Sequence, residues 1–294
     1  MDGVINVHKP VGMTSSDVVV WLRKRLNTRK VGHTGTLDPE VNGVLPICVG
    51  RATRLAEYLT DQGKSYRAEI TFGIITDTQD AEGKVLHSIR PEVKADDFLK
   101  ISPQFLGSIQ QIPPMYSAVR YQGKHLYDLA RQGIEVERAP RTINVQRLEL
   151  LSWQESEYPK AVFEVDCSKG TYIRTLCQDL GDALGCGAHM SKLVRLRSGP
   201  FRLEESWTLE QIGEAIEQGR VDFLIPFNRV LDLPKIILTP ERAVAFRHGL
   251  PTSEREIFGG HLPETGQVQV FTENEFIGIG KCQDQSLYPY KVFP

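Results

Sequence analysis

The sequence predicts an α+β fold in which a mixed, mainly antiparallel sheet is flanked by helices and followed by a small β-rich module. Residues 64–74 alternate between apolar and polar side chains, which is typical of a strand with one buried face. Residues 173–184 place apolar side chains at helical spacing and are followed by Gly185, a common helix stop. Near the end of the chain, QVQVF and EFIGIGKC indicate further strands.

Length and composition indicate a globular protein of roughly two domains. At about 150 residues per domain, the 294 residues suggest two units. The hydrophobic content of 40% and the charged content of 24% are ordinary for such proteins. A proline-containing segment at residues 232–235 reads as a linker, which gives domains at residues 1–232 and 233–294.

Several classes of protein are excluded by what the sequence lacks. No apolar run approaches the roughly 18 to 20 residues of a membrane span, and the N-terminus has no basic start followed by an apolar core. We therefore expect a cytoplasmic protein. The five cysteines are odd in number and form no CxxC pair, so neither a disulfide framework nor a zinc site is indicated.

The charges are unevenly distributed, although the formal net charge is only −2. Residues 18–37 contain five basic residues and no acidic one, and residues 183–203 contain four basic residues and no acidic one. Local basic surface, rather than whole-chain charge, attracts phosphates. These segments indicate either a nucleic-acid surface or an ordinary solvated face.

The first part of the chain predicts a short strand and a capped helix. Residues 3–8 form the strand, and Ser15 or Ser16 would cap a helix that buries Val18 and other apolar residues. Lys9 precedes the N-terminus of this helix, where it would either meet a phosphate or remain exposed.

Residues 31–54 surround one carboxylate, Asp38, at which we expect the chemistry. The apolar run at residues 44–49 predicts a strand buried on both faces, which would anchor the loop before it. Pro39 biases Asp38 towards an extended conformation, and three nearby glycines allow a ligand to come close to the main chain. Asp38 is therefore either a presented catalytic group, with His33 among its polar neighbours, or the start of an Asp-Pro turn.

The next segments predict a helix, a strand and a second helix. Residues 51–59 fit a short helix, and residues 64–74 form the strand in which Tyr66 faces the core. A tyrosine in such a position is more often part of a core than of an active site. Residues 76–83 predict a polar loop, and residues 91–106 predict a capped helix.

A segment at residues 110–145 interleaves flat side chains with cations. The flat side chains are Tyr116, Tyr121, His125 and Tyr127, and the cations are Arg120, Lys124, Arg131, Arg138 and Arg141. Cations suit phosphates and rings suit bases, so the pattern favours RNA binding. The alternative is an ordinary surface excursion with a short helix at residues 125–131.

The later segments place further cations on a helix and a strand. The helix at residues 173–184 follows a predicted strand, so Tyr172 and Arg174 lie near its N-terminus. Arg174 would either pair with a buried carboxylate or lie exposed on the first turn. Beyond the helix, a predicted strand presents Arg195 and Arg197 on one side.

Five segments together resemble the TruB family of tRNA pseudouridine-55 synthases. They are NVHKPVGMTSSDVV at residues 6–19, GHTGTLDPEVNGVLP at residues 32–46, KSYRAEITFG at residues 64–73, PPMYSAVRYQGKHLYDLARQG at residues 113–133 and KGTYIRTL at residues 169–176. The resemblance covers roughly residues 3–230. It is specific as a set, because a glycine-rich loop with an aspartate is weak evidence by itself.

The resemblance implies a pseudouridine-synthase-like catalytic domain at residues 1–232, with a mobile RNA-binding thumb at about residues 113–147, and a PUA-like domain at residues 233–294. It implies isomerisation of the T-loop uridine at position 55 of tRNA, whose base detaches from ribose at N1 and reattaches through C5. Such a reaction needs no cofactor, redox partner or metal. We expect the T-stem-loop of tRNA as the partner, no membrane association and a monomer.

The resemblance also implies roles for individual side chains. Asp38 would be required for catalysis, either by attacking ribose or by removing a ribose proton to give a glycal. Arg174 would pair with Asp38. Tyr66 would pack against the extruded base, and His33 would stack in place of the flipped nucleotide. Tyr172 and Leu196 would line the pocket, and further substrate contacts are assigned to Lys9, Lys64, Arg120 and Lys124.

The chain departs from the family pattern in two places, and two other functions compete with this one. His8 stands where an acidic or amide residue is usual, and Glu40-Val41-Asn42 replace more common residues, which affects the fine placement of the loop. A tRNA-folding chaperone would need stacking and phosphate contacts but no chemistry. A glycoside hydrolase would need paired carboxylates, which Asp38 and Glu40 would have to supply.

Overall fold

The computed structural model describes residues 1–293, except for the side chain of Phe227. Over these residues the chain forms seven α-helices and twenty β-strands. The helices are α1 (Ser15–Arg25), α2 (Ala56–Thr60), α3 (Ala95–Ile101), α4 (Leu126–Arg131), α5 (Ile173–Ala183), α6 (Leu209–Glu217) and α7 (Pro240–Arg247). None of these helices is long and apolar enough to cross a membrane.

The first fourteen strands lie before the predicted linker, and the other six follow it. The former are β1 (Gly3–Lys9), β2 (Val31–His33), β3 (Asn42–Val49), β4 (Lys64–Phe72), β5 (Ile74–Thr76), β6 (Val85–Ser88), β7 (Gly107–Gln111), β8 (Arg120–Tyr121), β9 (Lys124–His125), β10 (Arg141–Gln154), β11 (Lys160–Cys167), β12 (Ala188–Ser198), β13 (Phe201–Arg202) and β14 (Leu224–Ile225). The latter are β15 (Lys235–Leu238), β16 (Thr252–Ser253), β17 (Ile257–Gly259), β18 (Gly266–Phe271), β19 (Phe276–Gln283) and β20 (Ser286–Val292).

Ten strands form the main sheet, in the order β14-β1-β3-β12-β4-β11-β10-β7, with β2 paired to β3 and β13 paired to β12. Neighbouring strands are antiparallel except for β3 and β12, which run parallel. This arrangement confirms the mixed, mainly antiparallel sheet predicted from the sequence. A parallel pair requires a long crossover connection, and here residues 50–187 supply it.

Strand β4 lies at the centre of the sheet and shows the predicted alternation. Tyr66, Ala68, Ile70 and Phe72 are buried on one face and join the core beneath α5. Fully burying an aliphatic or aromatic side chain of this kind contributes about 1.5–3 kcal/mol. The strand ends at Phe72, earlier than predicted, where Gly73 adopts a φ of +85° that other residues rarely tolerate.

Strand β12 contains a β-bulge that sends two nearby arginines to opposite sides of the sheet. Arg195 lies opposite Tyr66 and Arg197 lies opposite Ser65, so Leu196 is the extra residue. Because a bulge interrupts the period of two, residues two apart no longer share a face. Arg195 is buried and Arg197 remains partly exposed. The prediction that both cations lie on one side of the strand is therefore wrong.

Helix α1 is capped by Thr14 and not, as predicted, by Ser15 or Ser16. The Asp17 amide donates to the Thr14 hydroxyl oxygen at 3.0 Å, and the Thr14 amide donates to the Asp17 carboxylate at 2.8 Å. This reciprocal capping box satisfies main-chain donors at the start of the helix. Ser15 is buried instead, and its hydroxyl bonds to the main chain of Leu37.

Strand β3 is buried on both faces, as its apolar sequence predicted. On one face Leu45 belongs to the apolar cluster that includes the buried residues of α1. On the other face Val44 and Cys48 belong to a cluster that includes Phe276 and Phe293 of the C-terminal module. One side of the strand that follows the Asp38 loop therefore packs in a cluster with helices, and the other side belongs to an apolar cluster that extends to the C-terminal module.

The C-terminal module is a six-stranded sheet in the order β16-β20-β19-β18-β15-β17, with α7 packed against it. Strands β15 and β18 run parallel, and the other neighbours are antiparallel. The β-rich character of this module confirms the prediction. The exact residue that divides it from the first domain stays a prediction, because the two share an apolar cluster.

Helix α5 packs on the sheet and carries a partly buried carboxylic acid, Asp179. Burial, together with the nearby charge of Asp182, raises the pKa of Asp179 to about 6. In the unfolded chain this carboxyl regains a pKa of about 4. Between the two values the folded protein holds a proton that the unfolded chain has lost. The resulting contribution to stability is therefore complete below about pH 4 and is lost as the pH rises through about 6.

We predict that Asp179→Asn stabilises the protein near neutral pH, because an amide removes a partly desolvated charge. The expected gain in the free energy of unfolding is about 1 kcal/mol, discounted for the solvent that still reaches the carboxyl. Near pH 4 the gain should disappear, since the native carboxyl is then protonated. Thermal unfolding at both pH values checks this. Glu214→Gln, at an exposed position of α6, is the control and should change the free energy of unfolding by less than about 0.5 kcal/mol. Equal Tm values for wild type and Asp179→Asn near pH 7 would contradict the prediction.

Candidate active site

Asp38 lies in the loop between β2 and β3, which is fixed to the protein on both sides of the carboxylate. Leu37 and Val41 are buried, and the Leu37 amide donates to the Ser15 hydroxyl oxygen at 2.8 Å. The Val41 amide donates to the Asp38 carbonyl at 3.1 Å and closes a turn. The Asp38 side chain itself remains 47% exposed. The loop therefore presents one accessible carboxylate from a rigid frame.

Gly43 allows the end of this loop to approach β12 closely. Its φ is +108°, and a Cβ at this position would lie 2.3 Å from the carbonyl oxygen of Arg195. Gly43 and Arg195 are directly opposite in the parallel pair of β3 and β12. Any side chain at this position would force the two strands apart.

Arg174, in the first turn of α5, connects Asp38 to a second carboxylate. Its Nη2 lies 3.2 Å from Asp38 Oδ2, and its Nη1 lies 3.1 Å from Asp80 Oδ2. The guanidinium also donates to the carbonyls of Tyr116 at 2.9 Å and Thr78 at 3.3 Å. Only 10% of the arginine side chain is exposed. A planar fork of donors can hold several oxygen atoms at once, which a lysine ammonium cannot do in the same geometry.

Asp80 is a member of this site that the sequence analysis missed. The Thr78 hydroxyl and the Glu82 amide both donate to its Oδ1, which leaves Oδ2 for Arg174. Thr175, next to Arg174, donates from its hydroxyl to the Gln79 side chain at 2.8 Å and so secures the same turn. In the sequence Asp80 is one of several polar residues in a predicted loop, and no motif distinguishes it.

Tyr66 and Arg195 form a buried pair next to the Asp38 loop. They are opposite each other on β4 and β12, and the charge of the guanidinium acts on the phenol. Burial raises the pKa of Tyr66, although the charge of Arg195 opposes the shift. Tyr66 is therefore an uncharged phenol at neutral pH. In the sequence Arg195 reads only as a cation on one side of a strand, because the bulge that buries it leaves no trace in the pattern.

His33 supplies a neutral ring at the end of β2. Burial, and next the charge of Arg195, lower its pKa, so the imidazole carries no charge near pH 7. Its Nδ1 is buried and, among the residues that the structure describes, has no hydrogen-bond partner. A flat, uncharged and half-buried ring is suited to stacking on a base.

Lys9 is buried, so the reading of an exposed lysine is wrong. Its Nζ donates to the carbonyls of Pro10 at 2.8 Å, Pro39 at 3.0 Å and Met13. Burial lowers its pKa to about 8. All three donors of the ammonium are directed at main-chain oxygens, and one of these belongs to the residue after Asp38. Lys9 therefore braces the loop in this structure, and its phosphate contact stays a prediction.

Lys64 is also buried, and its expected substrate contact stays a prediction. Its Nζ donates to the carbonyls of Thr60 at 3.0 Å and Gln62 at 2.8 Å, at the start of β4. Burial, and next the charge of Arg195, lower its pKa to about 8. The side chain ties the end of α2 to the sheet and does not extend towards a ligand.

Tyr172 and Leu196 are half-buried residues that adjoin the site. Tyr172 caps α5, and its amide donates to the Gln111 side chain at 2.8 Å while its carbonyl accepts from the same side chain at 3.0 Å. Leu196 occupies the bulge of β12 beside Arg195. Their role as pocket walls stays a prediction.

Arg120 and Lys124 lie on the short hairpin of β8 and β9, and both are exposed. The rings of His125 and Tyr127 stack with centroids 5.1 Å apart, and the Arg131 guanidinium lies 5.5 Å from the centre of the Tyr127 ring. The structure thus shows cations and flat rings together on one surface segment. Contact of this segment with RNA stays a prediction.

The chemical groups of the site are carboxylates, guanidinium groups, a phenol and an imidazole. Such groups serve acid–base or nucleophilic chemistry. Within residues 1–293, no cluster of three or more His, Cys, Asp or Glu side chains is arranged to hold a metal ion. The five cysteines are buried and unpaired.

Three family sequence models match the chain in succession. The one described as TruB family pseudouridylate synthase (N terminal domain) matches residues 23–173. The tRNA pseudouridylate synthase B C-terminal domain matches residues 174–244, and Pseudouridine synthase II TruB, C-terminal, matches residues 234–293. The first match includes Asp38, Tyr66 and Asp80, and the second begins at Arg174.

Curated relatives are similar over most of their length. The tRNA pseudouridine synthase B of Symbiobacterium thermophilum is 49% identical over 256 residues, which cover 87% of this chain and 84% of that protein. The protein of the same name from Bacillus subtilis is 45% identical over 280 residues, which cover 93% of this chain and 90% of the relative.

Solved structures show the same fold. A chain in a Cbf5-Nop10-Gar1 complex has a TM-score of 0.76 and 32% identity, covering 99% of this chain and 85% of that chain. A chain in an H/ACA RNP bound to a substrate RNA containing 2′-deoxyuridine has a TM-score of 0.73 and 30% identity, with the same coverage. The similarity therefore includes both the main sheet and the C-terminal module.

We predict that Lys9→Met destabilises the fold, because three main-chain carbonyls lose a buried donor. The expected loss in the free energy of unfolding is about 2–4 kcal/mol. Denaturant unfolding measures it. Lys30→Met, at an exposed position just before β2, is the matched control and should change the free energy by less than about 0.5 kcal/mol. An unchanged midpoint for Lys9→Met would show that the ammonium does not brace the loop.

Proposed function

Because the chain belongs to the TruB family of pseudouridine synthases, we propose that it converts the T-loop uridine at position 55 of tRNA to pseudouridine. tRNA pseudouridine synthesis by an isomerase follows from the family and from curated relatives at 40–49% identity. The position of the uridine and the roles of the residues are the proposal. The observation that supports it most directly is the exposed Asp38 carboxylate, which Arg174 holds in place.

Access to the target requires the uridine to leave the base stack. Extrusion of a base costs a few kcal/mol, which contacts to the RNA must offset. The neutral ring of His33 would stack where the base has left. Arg120 and Lys124 would contact phosphates from the exposed hairpin, where a mobile thumb at about residues 113–147 would close on the loop.

Asp38 would act on the ribose of the extruded nucleotide by one of two routes. In the first, a carboxylate oxygen bonds to C1′ as the C1′–N1 bond breaks, and the electron pair leaves with the uracil. In the second, the carboxylate takes the proton from C2′, and loss of the base gives a glycal to which this proton later returns. In the first route C5 then bonds to C1′ as the bond between the Asp38 oxygen and C1′ breaks, and in the second C5 bonds to C1′ of the glycal as the proton returns to C2′. In both routes the C5 proton is then released, and N1 gains a proton.

Arg174 would set the orientation of Asp38 during these steps. A second anchor at Asp80 prevents the guanidinium from following the carboxylate when the RNA binds. Tyr66 would pack against the uracil, with Tyr172 and Leu196 as neighbouring walls. Fixed placement of reacting groups within about 3–3.5 Å is what lowers the barrier in such sites.

We predict that Asp38→Asn lowers the rate of pseudouridine formation by about 10³-fold or more, since an amide can act neither as nucleophile nor as base. The measurement is tritium release from a tRNA transcript labelled at C5 of the uridine at position 55 only. Asp61→Asn replaces an aspartate that is 64% exposed and pairs with Lys169, and it serves as the matched control.

Other outcomes of this assay separate the alternatives. Equal release from Asp38→Asn and wild type would remove Asp38 from its assigned role. If neither protein releases tritium but both promote tRNA folding, the chain is a tRNA-folding chaperone. A second transcript, labelled at C5 of every uridine, tests the target: release from it, with none from the transcript labelled only at position 55, would contradict the proposed position.

We also predict that Arg174→Lys lowers kcat by about 10²-fold, because a single ammonium cannot hold two carboxylates and two carbonyls in place. The same tritium assay under saturating tRNA measures the change. Arg67→Lys, at an exposed position on β4 that pairs with Glu164, is the control and should retain wild-type kcat. Full activity of Arg174→Lys would show that the ion pair does not position the carboxylate.

A further inference from the structure

Gln79 adopts a backbone conformation that normally belongs to glycine. Its φ is +64°, in the left-handed region that other residues enter only rarely. Gln79 lies between Thr78 and Asp80, the two residues of the loop after β5 that accept hydrogen bonds from Arg174. A strained residue of this kind persists only where its surroundings hold it in place, and such residues are concentrated at functional sites.

Two hydrogen bonds from distant parts of the chain hold Gln79. The Met190 amide of β12 donates to the Gln79 carbonyl at 3.0 Å. The Thr175 hydroxyl of α5 donates to the side-chain oxygen of Gln79 at 2.8 Å, and Thr175 is buried. Because Thr175 follows Arg174 in the chain, the second bond joins the helix that carries the arginine to the loop that accepts from it.

Thr175, Gln79, Asp80 and Arg174 therefore form a closed ring of contacts. From Thr175 the ring passes through the Gln79 side chain and along the main chain to Asp80, whose carboxylate accepts from Arg174 Nη1 at 3.1 Å. No member of such a ring can shift without disturbing a second contact. The other terminal nitrogen of the arginine, Nη2, contacts Asp38. The ring thus restrains the arginine on the side away from the carboxylate that it orients.

We propose that Thr175 and Gln79 are positioning residues for this active site, which hold Asp80 in the place from which Arg174 orients Asp38. This inference rests on the proposed function, since it assumes that the orientation of Asp38 governs the reaction. Neither Thr175 nor Gln79 contacts the RNA or the reacting atoms in that mechanism. Their effect passes through Arg174, so it appears in turnover and not in tRNA affinity.

The test removes the bond from either side and measures kcat and KM by tritium release from the transcript labelled at position 55. Thr175→Val keeps the shape of the side chain without the hydroxyl, and it should lower kcat by about 10-fold with KM within about twofold of wild type. Thr175→Ser keeps the hydroxyl and should hold kcat within about threefold of wild type. Gln79→Gly permits the same backbone conformation without strain, so its expected loss of about 10-fold in kcat reports the missing side chain.

The double variant Thr175→Val with Gln79→Gly should lose no more than about twofold beyond the single variants, since both substitutions remove the same bond. Thr53→Val is the matched control. The Thr53 hydroxyl also donates a bond of 2.8 Å, to the Gly50 carbonyl outside the site, and its loss should keep kcat within about twofold of wild type.

Circular dichroism and Tm confirm that each variant is folded. Gln79 and Thr175 line a cavity of about 430 Å³, so water can take the place of a lost partner and we expect both variants to fold. If Thr175→Val does not fold, Gln79→Gly tests the same bond from the other side.

Four results would overturn the inference: wild-type kcat in either single variant that lacks the bond, a loss confined to KM, an equal loss in Thr175→Ser and Thr175→Val, or losses that multiply independently in the double variant. Absence of tritium release from the wild-type enzyme would instead refute the proposed function, so the two failures are distinguishable.

Discussion

The ion pairs of Arg174 are the interaction on which the site depends. This guanidinium joins the Asp38 loop, the turn at Asp80 and the segment at Tyr116, which are far apart in sequence. A buried charge is tolerable only when its donors are satisfied, and here they face carboxylate and carbonyl oxygens. Without the guanidinium, the two carboxylates would lose their common partner. The site would then lose both its geometry and its charge balance.

Two arginines stabilise this site through different partners. Arg174 lies near the surface and neutralises carboxylates, whereas Arg195 lies deeper and binds only neutral oxygens. Together with Asp38 and Asp80 they sum to zero formal charge. Because this net charge is zero, the local electric field depends on the spacing of the four groups.

The strands were predictable from the sequence because burial leaves a local pattern of apolar residues. This pattern is a continuous run in β3 and an alternation in β4. Asp38 and Arg174 were identified from the motifs around them, and the ion pair between them agrees with the predicted pairing. The buried states of Lys9 and Arg195 were not predictable. The local sequence does not show whether carbonyls or water surround a cation. The Val44 carbonyl that accepts from Arg195 is 151 positions away in the chain. Asp80 was missed for the same reason, since its partner Arg174 is 94 positions away.

The apolar cluster between β3 and the C-terminal module limits how the polypeptide can be divided. A fragment that stops at residue 232 would remove Phe276 and Phe293 from the apolar cluster to which Val44 and Cys48 belong. The apolar side chains left exposed would favour aggregation. Domain exchange between homologues would therefore have to transfer the first domain's members of this cluster together with the module.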